Sequence, residues 1–267
     1  MTNKTAYVGP LYIEDEDLSL AWGRVVRHIC DHTGREISPL IVSVTGFGDG
    51  GDVLETPEIR TATDALLDAE GQQSVEKVAF TIFPQRYWVM AQGDRAKLFS
   101  FYEKAFPRFK KMEPRKNANG LYFERLTMFD PKAPNEGNQL ETIIERFNTR
   151  DGMQRMQLQA TTYDPKRDQS GTAIQGFPCL QHVTFVPSSA GELTVNAFYA
   201  TQQLFVRAYG NYLGLARLGI FMAHEMGLRM TRLNVFVGIE KLDDIAKTGE
   251  GISNIVNLVN EHRDEES

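Results

Sequence analysis

The strongest candidate for chemistry in this chain is Cys179, which follows Pro178 and precedes a segment of alternating residues that runs to Tyr199. A proline at the start of a strand would hold the thiol in one direction, and arginines that converge on it would lower its pKa. These neighbours favour a nucleophile on a rigid sheet. Most cysteines are instead small buried apolar side chains, which is our interpretation of Cys30 on an apolar helix stripe.

The histidines could supply a base for this thiol or ligands for a metal. His182 lies three residues after Cys179 and would face the other side of a strand. His224 lies on an apolar helix, where a structural role is expected. His28 and His32 are one helical turn apart, but the pattern lacks a third ligand, so we predict no metal site. A cysteine hydrolase that uses His182 or His224 is a third hypothesis.

Polar side chains that could bind a ligand follow at the end of the alternating segment. Four of them are close together: Tyr199, Thr201, Gln202 and Gln203. Asn211 then opens an apolar helix, either as an N-cap or as an amide that offers a donor and an acceptor to the edge of a pyrimidine. Upstream, a turn brings the Tyr122 hydroxyl close to Arg125.

Periodicity indicates the elements that must position these residues. Apolar residues at helical spacing predict helices at 11–31 (with an acidic start at 14–17), 56–70, 95–109 and 139–147. Strands are predicted at 37–44, 156–162, 193–199 and 233–237. Residues 212–228 have too few polar positions for a surface helix and should form a central one. The charged residues 261–267 are expected to fray. The economical prediction is one α+β domain over residues 1–267.

Composition excludes several classes of function. The net charge is -6 in 267 residues, which disfavours binding to nucleic acid backbones. No long apolar run is free of charges, so no membrane span is predicted, and the first residues lack the apolar core of a signal peptide. The two cysteines, Cys30 and Cys179, are far apart and lack metal-type spacing. A reduced, cytoplasmic setting is therefore expected.

Taken together, these residues resemble the thymidylate synthase family. The most specific matches are Pro178-Cys179 at a strand start, the strand end from Tyr199 to Gln203, and Gly210-Asn211 before an apolar helix. Two weaker matches lie upstream, Asn138-Gln139-Leu140 and Asn119-Gly120-Leu121-Tyr122. The resemblance covers residues 119–228 and only loosely the first hundred residues.

The resemblance implies a homodimer built on a large mixed β-sheet covered by helices, with 5,10-methylenetetrahydrofolate as carbon donor and a pyrimidine nucleotide as the other ligand. Cys179 would add to C6 of the pyrimidine ring, which makes C5 able to accept a one-carbon unit. Tyr122 would assist proton removal through water, and Asn211 would bind the base edge, with uracil preferred over cytosine. The remaining substrate-binding residues would be Arg155, Thr201, Gln202, Tyr199 and Arg207.

The chain departs from the family pattern mainly where phosphate and sugar should bind. His32, the pair Gln154-Arg155 and Thr201 occupy positions where the family carries arginines, so Arg155 alone is clearly kept and Arg207 is a possible substitute. Each lost charge-assisted contact is worth about 1.5–3 kcal/mol. The family's sugar-binding segment is replaced by residues 237–242, and its early glutamate has no firm counterpart near residues 75–84.

We therefore expect a one-carbon transferase that adds a methyl or hydroxymethyl group and whose contacts with the phosphate and sugar of the substrate are altered. The alternative is a catalytically inactive descendant that binds a nucleotide or a protein partner.

Overall fold

The frame of the molecule is a mixed β-sheet, seen in a computed structural model that describes residues 7–48, 51–112, 114, 117, 120–149, 154–169, 171 and 178–265. Its strands are β1 (Tyr7–Val8), β2 (Leu11–Asp15), β3 (Glu36–Ile37), β4 (Leu40–Val44), β5 (Gln159–Thr161), β6 (Leu180–Pro187), β7 (Glu192–Gln203) and β8 (Arg229–Lys241). The order across the sheet is β1-β3-β8-β7-β6-β5, and β4 joins β2 to β8. The chain forms a single mixed α/β domain, in agreement with the predicted class.

The described helices are α1 (Leu18–Cys30), α2 (Pro57–Ala69), α3 (Val75–Phe80), α4 (Gln85–Ala91), α5 (Arg95–Met112), α6 (Tyr122–Thr127), α7 (Gln139–Thr149), α8 (Pro165–Asp168), α9 (Tyr209–Glu225) and α10 (Glu250–Glu265). The predictions at 56–70, 95–109 and 139–147 are confirmed as α2, α5 and α7. None of the described helices combines the length and the apolar character that crossing a lipid bilayer requires.

The central helix α9 connects β7 to β8, which lie side by side and run in parallel. Parallel neighbours need such a crossover, because a tight turn can join only antiparallel strands. The helix is buried along most of its length, including Tyr212, Leu215 and Phe221. The prediction of a central apolar helix is confirmed, although the helix begins and ends three residues earlier than expected.

Several predicted elements differ from the observed ones at their ends. Residues 11–15 form a strand that pairs with β4, and the first helix begins only after Asp17, whose side chain accepts a hydrogen bond from the Leu20 N–H. The strand predicted at 37–44 is divided at Ser38-Pro39, because proline cannot donate to the sheet. Residues 155–157 form a 3₁₀ turn before β5, and the predicted frayed end is helical to Glu265.

In both β7 and β8, the alternation of buried and exposed side chains shifts by one residue, and the two shifts lie at the same level of the sheet. Tyr199 and Val237 are paired and buried, and the next buried positions are Gln202 and Glu240, three residues later rather than two. Gly238 lets the backbones of β8 and β7 lie close together at this level, since a Cβ at residue 238 would lie 2.7 Å from the carbonyl oxygen of Ala200. The change turns two polar side chains toward the interior.

Candidate functional site

A cavity of about 480 Å³ lies at the edge of the sheet where β6 begins and where β7 and β8 end. A cavity of this size suits a small molecule. Six of the eight residues predicted for the site line it: Tyr122, Cys179, Thr201, Gln202, Arg207 and Asn211. They come from three separate stretches of the chain, so the fold brings together what the sequence keeps apart.

Cys179 is half-buried immediately before β6 and is held by the sheet. Its carbonyl oxygen accepts a 3.1 Å hydrogen bond from the Ala200 N–H of β7. Burial raises the pKa of the thiol, and the positive charge of Arg207 opposes this rise without cancelling it. An arginine therefore does act on the thiol, but the expected lowering of its pKa is wrong for this structure because desolvation is the larger effect.

Tyr122 begins α6 and lies beside the cysteine. Its hydroxyl accepts a 3.4 Å hydrogen bond from the N–H of Leu180, the residue after Cys179. Burial and the nearby Cys179 raise the pKa of Tyr122 above its ordinary value. The group is therefore a neutral hydroxyl near pH 7, able to donate a proton to a hydrogen bond and to accept one.

Asn211 lies in the first turn of α9, is 4% exposed and lines the cavity. It is not the N-cap, because a π-helical turn at Leu204–Ala208 leads directly into the helix. Gly210 allows α9 to approach α3 closely, since a Cβ there would lie 2.5 Å from Val78 Cβ. This contact fixes the end of α9 that carries the amide.

Of the described residues, three with cationic side chains line the cavity, and each has an acceptor. Arg207 donates a 2.5 Å hydrogen bond to Gln73 Oε1, and Lys241 lies 3.6 Å from a Glu36 carboxylate oxygen. Arg125 makes a buried ion pair of 2.6 Å with Asp168. A ligand phosphate would share these cations with the protein acceptors.

Arg125, Lys241 and Gln73 were missed as site residues. The turn that brings Tyr122 close to Arg125 was a usable signal, whereas Gln73 has no distinguishing sequence context.

The buried polar side chains of Tyr199, Tyr212 and Glu240 lie behind the cavity, and together with Gln202 of its lining we name them the interior polar cluster. Within the described part of the chain, no hydrogen-bond partner is present for the two hydroxyls, for either amide atom of Gln202 or for either oxygen of Glu240. Burial, with a smaller contribution from Asp243, raises the pKa of Glu240 well above its usual range. Burial therefore favours the protonated, neutral form of Glu240.

The other predicted residues lie elsewhere. Tyr199 is fully buried behind the cavity, and Arg155 is exposed on the 3₁₀ turn before β5, outside the cavity lining. His182 pairs in register with Phe198, whose side chain points away from the core. His224 is at the opposite end of α9 from Asn211, about 20 Å away along the helix. The cysteine hydrolase hypothesis thus lacks a histidine beside Cys179.

Two further predictions concern metal ions and Asn119. Among residues that the structure describes, no three His, Cys, Asp or Glu side chains are grouped as metal ligands. His32 instead uses Nδ1 in a 2.7 Å contact with the carbonyl of His28. Asn119, part of the family resemblance, lies outside the described residues.

The lining also includes an apolar part, formed by Val78, Leu121 and Pro178. A flat heterocycle such as the ring of a folate could pack there, next to the polar groups around Cys179. This fit concerns the ring alone, since the described cationic groups of the lining already have acceptors.

Comparison of the whole chain with protein-family models finds no matching family. Comparison with curated protein sequences likewise finds no matching relative. The function must therefore be argued from the geometry of this site.

Proposed function

We propose that this protein is a thymidylate synthase-like transferase that adds a methyl or hydroxymethyl unit to C5 of a uracil-type base in a nucleotide or nucleotide derivative. The observation that carries the proposal is that Cys179, Tyr122 and Asn211 line one cavity. A thiol, a neutral hydroxyl and a buried amide are the three groups that addition to a pyrimidine ring requires.

The reaction would begin with addition of the Cys179 thiolate to C6 of the bound base. The new S–C6 bond moves the electrons of the C5–C6 double bond toward C5 and O4, and C5 then forms a bond to the one-carbon unit. Loss of the C5 proton and expulsion of the thiolate restore the double bond. Tyr122 would hold the water that takes this proton, and Asn211 would hold the base edge through its donor and its acceptor.

When bound, 5,10-methylenetetrahydrofolate would supply the one-carbon unit as a methylene group released from its nitrogen; it would also supply the hydride that a methyl product needs, whereas water would complete a hydroxymethyl product. Val78 and Leu121 would contact its ring, because they form the apolar side of the cavity next to Cys179. In this arrangement the folate ring and the pyrimidine base would both lie in the cavity at this edge of the sheet.

The cationic groups of the cavity suggest which substrates fit best. Thr201, at a position where the family carries a phosphate-binding arginine, is uncharged, and Arg207 already donates to Gln73. A phosphate would have to share the guanidinium of Arg207 with this amide. We therefore propose that the substrate is held more by its base than by its phosphate, and that a derivative other than plain dUMP is the better substrate.

Release of tritium from C5-labelled pyrimidines tests the reaction directly. The wild-type protein, Cys179→Ala and the matched control Cys30→Ala would each be incubated with methylenetetrahydrofolate and labelled deoxyuridine, dUMP or dCMP. We expect release with a uracil base, unchanged release in the Cys30 control and none in Cys179→Ala. Full activity of Cys179→Ala would show that the nucleophile is assigned incorrectly.

A second candidate function is supported by the raised pKa of the thiol, which burial keeps in its less reactive form. The protein would then be an inactive descendant that binds a nucleotide in the same cavity. It would be stabilised against heat by pyrimidine nucleotides, since ligands that bind the native state raise its melting temperature, yet it would release no tritium.

We also propose that the protein forms a homodimer through the face of the sheet that points away from the core. Residues paired in register across five strands form a row on this face: Tyr12, Ile41, Phe236, Phe198 and His182. The rings of Phe198 and Phe236 stack at 5.4 Å and remain 37% and 38% exposed, and Tyr12 is 58% exposed. Exposed apolar surface of this kind is typical of interfaces, and a second copy could pack its own row against it.

A further inference from the structure

Glu240 is the least expected charged group in the interior. It is fully buried in β8, and neither carboxyl oxygen has a hydrogen-bond partner in the described part of the chain. A carboxylate in this position would be very costly, because burial penalises the charged form. The side chain therefore needs either a proton or a compensating charge, and its surroundings decide which.

The sheet places Glu240 close to the reacting thiol. The carbonyl oxygen of Cys179 accepts a hydrogen bond from the N–H of Ala200 in β7. Two residues further along β7, Gln202 pairs in register with Glu240 of β8. Neighbouring strands are about 4.8 Å apart, so the thiol and the carboxyl lie on the order of 10 Å from each other across one intervening strand. Between them, the side chain of Gln202 reaches the cavity.

Among the described residues, the titratable groups that face Glu240 provide no full positive charge. From β7 comes Tyr199, from α9 comes Tyr212, and from the segment after β8 comes Asp243, whose charge disfavours a second one nearby. Arg207 acts on Cys179 and on Asp243. Because Asp243 already shares the charge of Arg207, the interior can hold one further negative charge more easily than two.

We propose that Cys179 and Glu240 compete for a single negative charge, so that Glu240 is a positioning residue for the thiol. While Glu240 keeps its proton, the cavity can accommodate the thiolate of Cys179. Once Glu240 loses its proton, formation of the thiolate becomes less favourable. The inference deepens the proposed function and rests on it only in taking Cys179 as the reacting group.

The effect on the thiol can be estimated from the distance. A unit charge about 10 Å away changes the population of the thiolate by a factor of about 2 to about 15, for an effective dielectric constant between that of water and that of a protein site. The effect should appear on the alkaline side, because burial raises the pKa of both groups. At neutral pH the two groups should not yet interfere.

Alkylation of Cys179 by iodoacetamide, followed by mass spectrometry from about pH 6 to about pH 10, tests the proposal without any substrate. Glu240→Gln keeps the shape of the neutral acid and removes its ionisation. We expect equal rates near neutral pH and, at alkaline pH, alkylation about 2 to 15 times faster in Glu240→Gln than in the wild type. The matched control is Glu124→Gln, because Glu124 is also buried but lies on α6 outside the cavity lining.

Coincident curves for the wild type and Glu240→Gln would overturn the proposal, as would an equal effect of Glu124→Gln. If Glu240→Gln does not fold, Glu240→Leu removes the charge with a similar volume, and the wild-type curve itself must be broader than a single ionisation. A wild-type curve that follows one ionisation would also overturn it. Because no pyrimidine is present, failure here leaves the proposed transfer reaction to be judged by tritium release.

Discussion

The N–H of Leu180 donates a 3.4 Å hydrogen bond to the Tyr122 hydroxyl, which places this hydroxyl one residue from the candidate nucleophile Cys179. The two residues belong to different parts of the chain, α6 and the start of β6. One contact therefore orients the hydroxyl and links it to the strand that carries the thiol. The contribution of the Tyr122 hydroxyl to the reaction rate can be measured separately from its contribution to stability.

Tyr122→Phe removes this hydroxyl and keeps the ring. We expect tritium release from a labelled uracil base to fall by about 100-fold, the size of a typical proton-transfer contribution. Tyr163→Phe is the matched control, because Tyr163 bonds to Gln169 outside the cavity lining. Thermal melts should show both variants folded. Equal activity of the two variants would remove Tyr122 from the proposed mechanism.

Asp168→Ala should destabilise the protein strongly, because it removes the carboxylate that pairs with the buried guanidinium of Arg125. Both side chains are almost fully buried and lie 2.6 Å apart, and losing one partner of such a pair costs about 3–5 kcal/mol. Urea unfolding of the variant and of the wild type would measure the difference. Lys97→Ala, which removes an exposed pair with Asp94, is the control and should change the unfolding free energy far less.

The ion pair between Arg125 and Asp168 also predicts that the free energy of unfolding depends on pH in the acid range. Burial alone would raise the pKa of Asp168, but hydrogen bonds from Arg125 and from the Asp164 backbone outweigh it and hold the pKa below its ordinary value. Its stabilising effect is therefore complete above about pH 4, the value for an unfolded chain, and is lost as the pH falls through the folded value. The difference between wild type and Asp168→Ala should shrink in acid.

Glu240→Gln should alter the stability in the opposite range of pH. The pKa of Glu240 is raised by burial, so the folded state keeps a proton that the unfolded state loses above about pH 4.3. Wild-type stability contributed by this group therefore decreases as the pH rises toward the folded pKa. We expect Glu240→Gln to remove a slope of about 1.4 kcal/mol per pH unit from the unfolding free energy.

Urea unfolding at several pH values would measure this slope. Glu58→Gln, an exposed change on α2, should leave the slope as in the wild type. If the Glu240→Gln slope equals the wild-type slope, Glu240 is ionised in the native state.

Phe236→Asp should prevent dimer formation through the exposed sheet face. A carboxylate in the middle of the aromatic row would have to be buried without a partner when two copies meet. Light scattering coupled to gel filtration would then show a dimer for the wild type and a monomer for the variant. Val89→Asp, at a 65% exposed position on α4, is the control for added charge. A wild-type monomer at high concentration would rule out this interface.

Local patterns predicted much of the fold. Helical spacing located α2, α5 and α7, and the lack of polar positions in residues 212–228 showed that this helix is central. Alternation located the middle of β7 and of β8 but not their ends, since pairing with distant strands extends both. The strand at residues 11–15 was missed because its acidic residues suggested a helix start, whereas its partner β4 lies 25 or more residues away.

By itself, the sequence determined which residue types are present for chemistry, and it pointed to Cys179, Tyr122 and Asn211, which line one cavity. Only the tertiary structure decided their electrostatics. Burial raises the pKa of the thiol despite the positive charge of Arg207. The shift in the burial pattern of β7 and β8 buries Gln202 at the cavity and Glu240 behind it. The physical reason is that desolvation and strand register depend on atoms far away along the chain, which no local pattern of residues records.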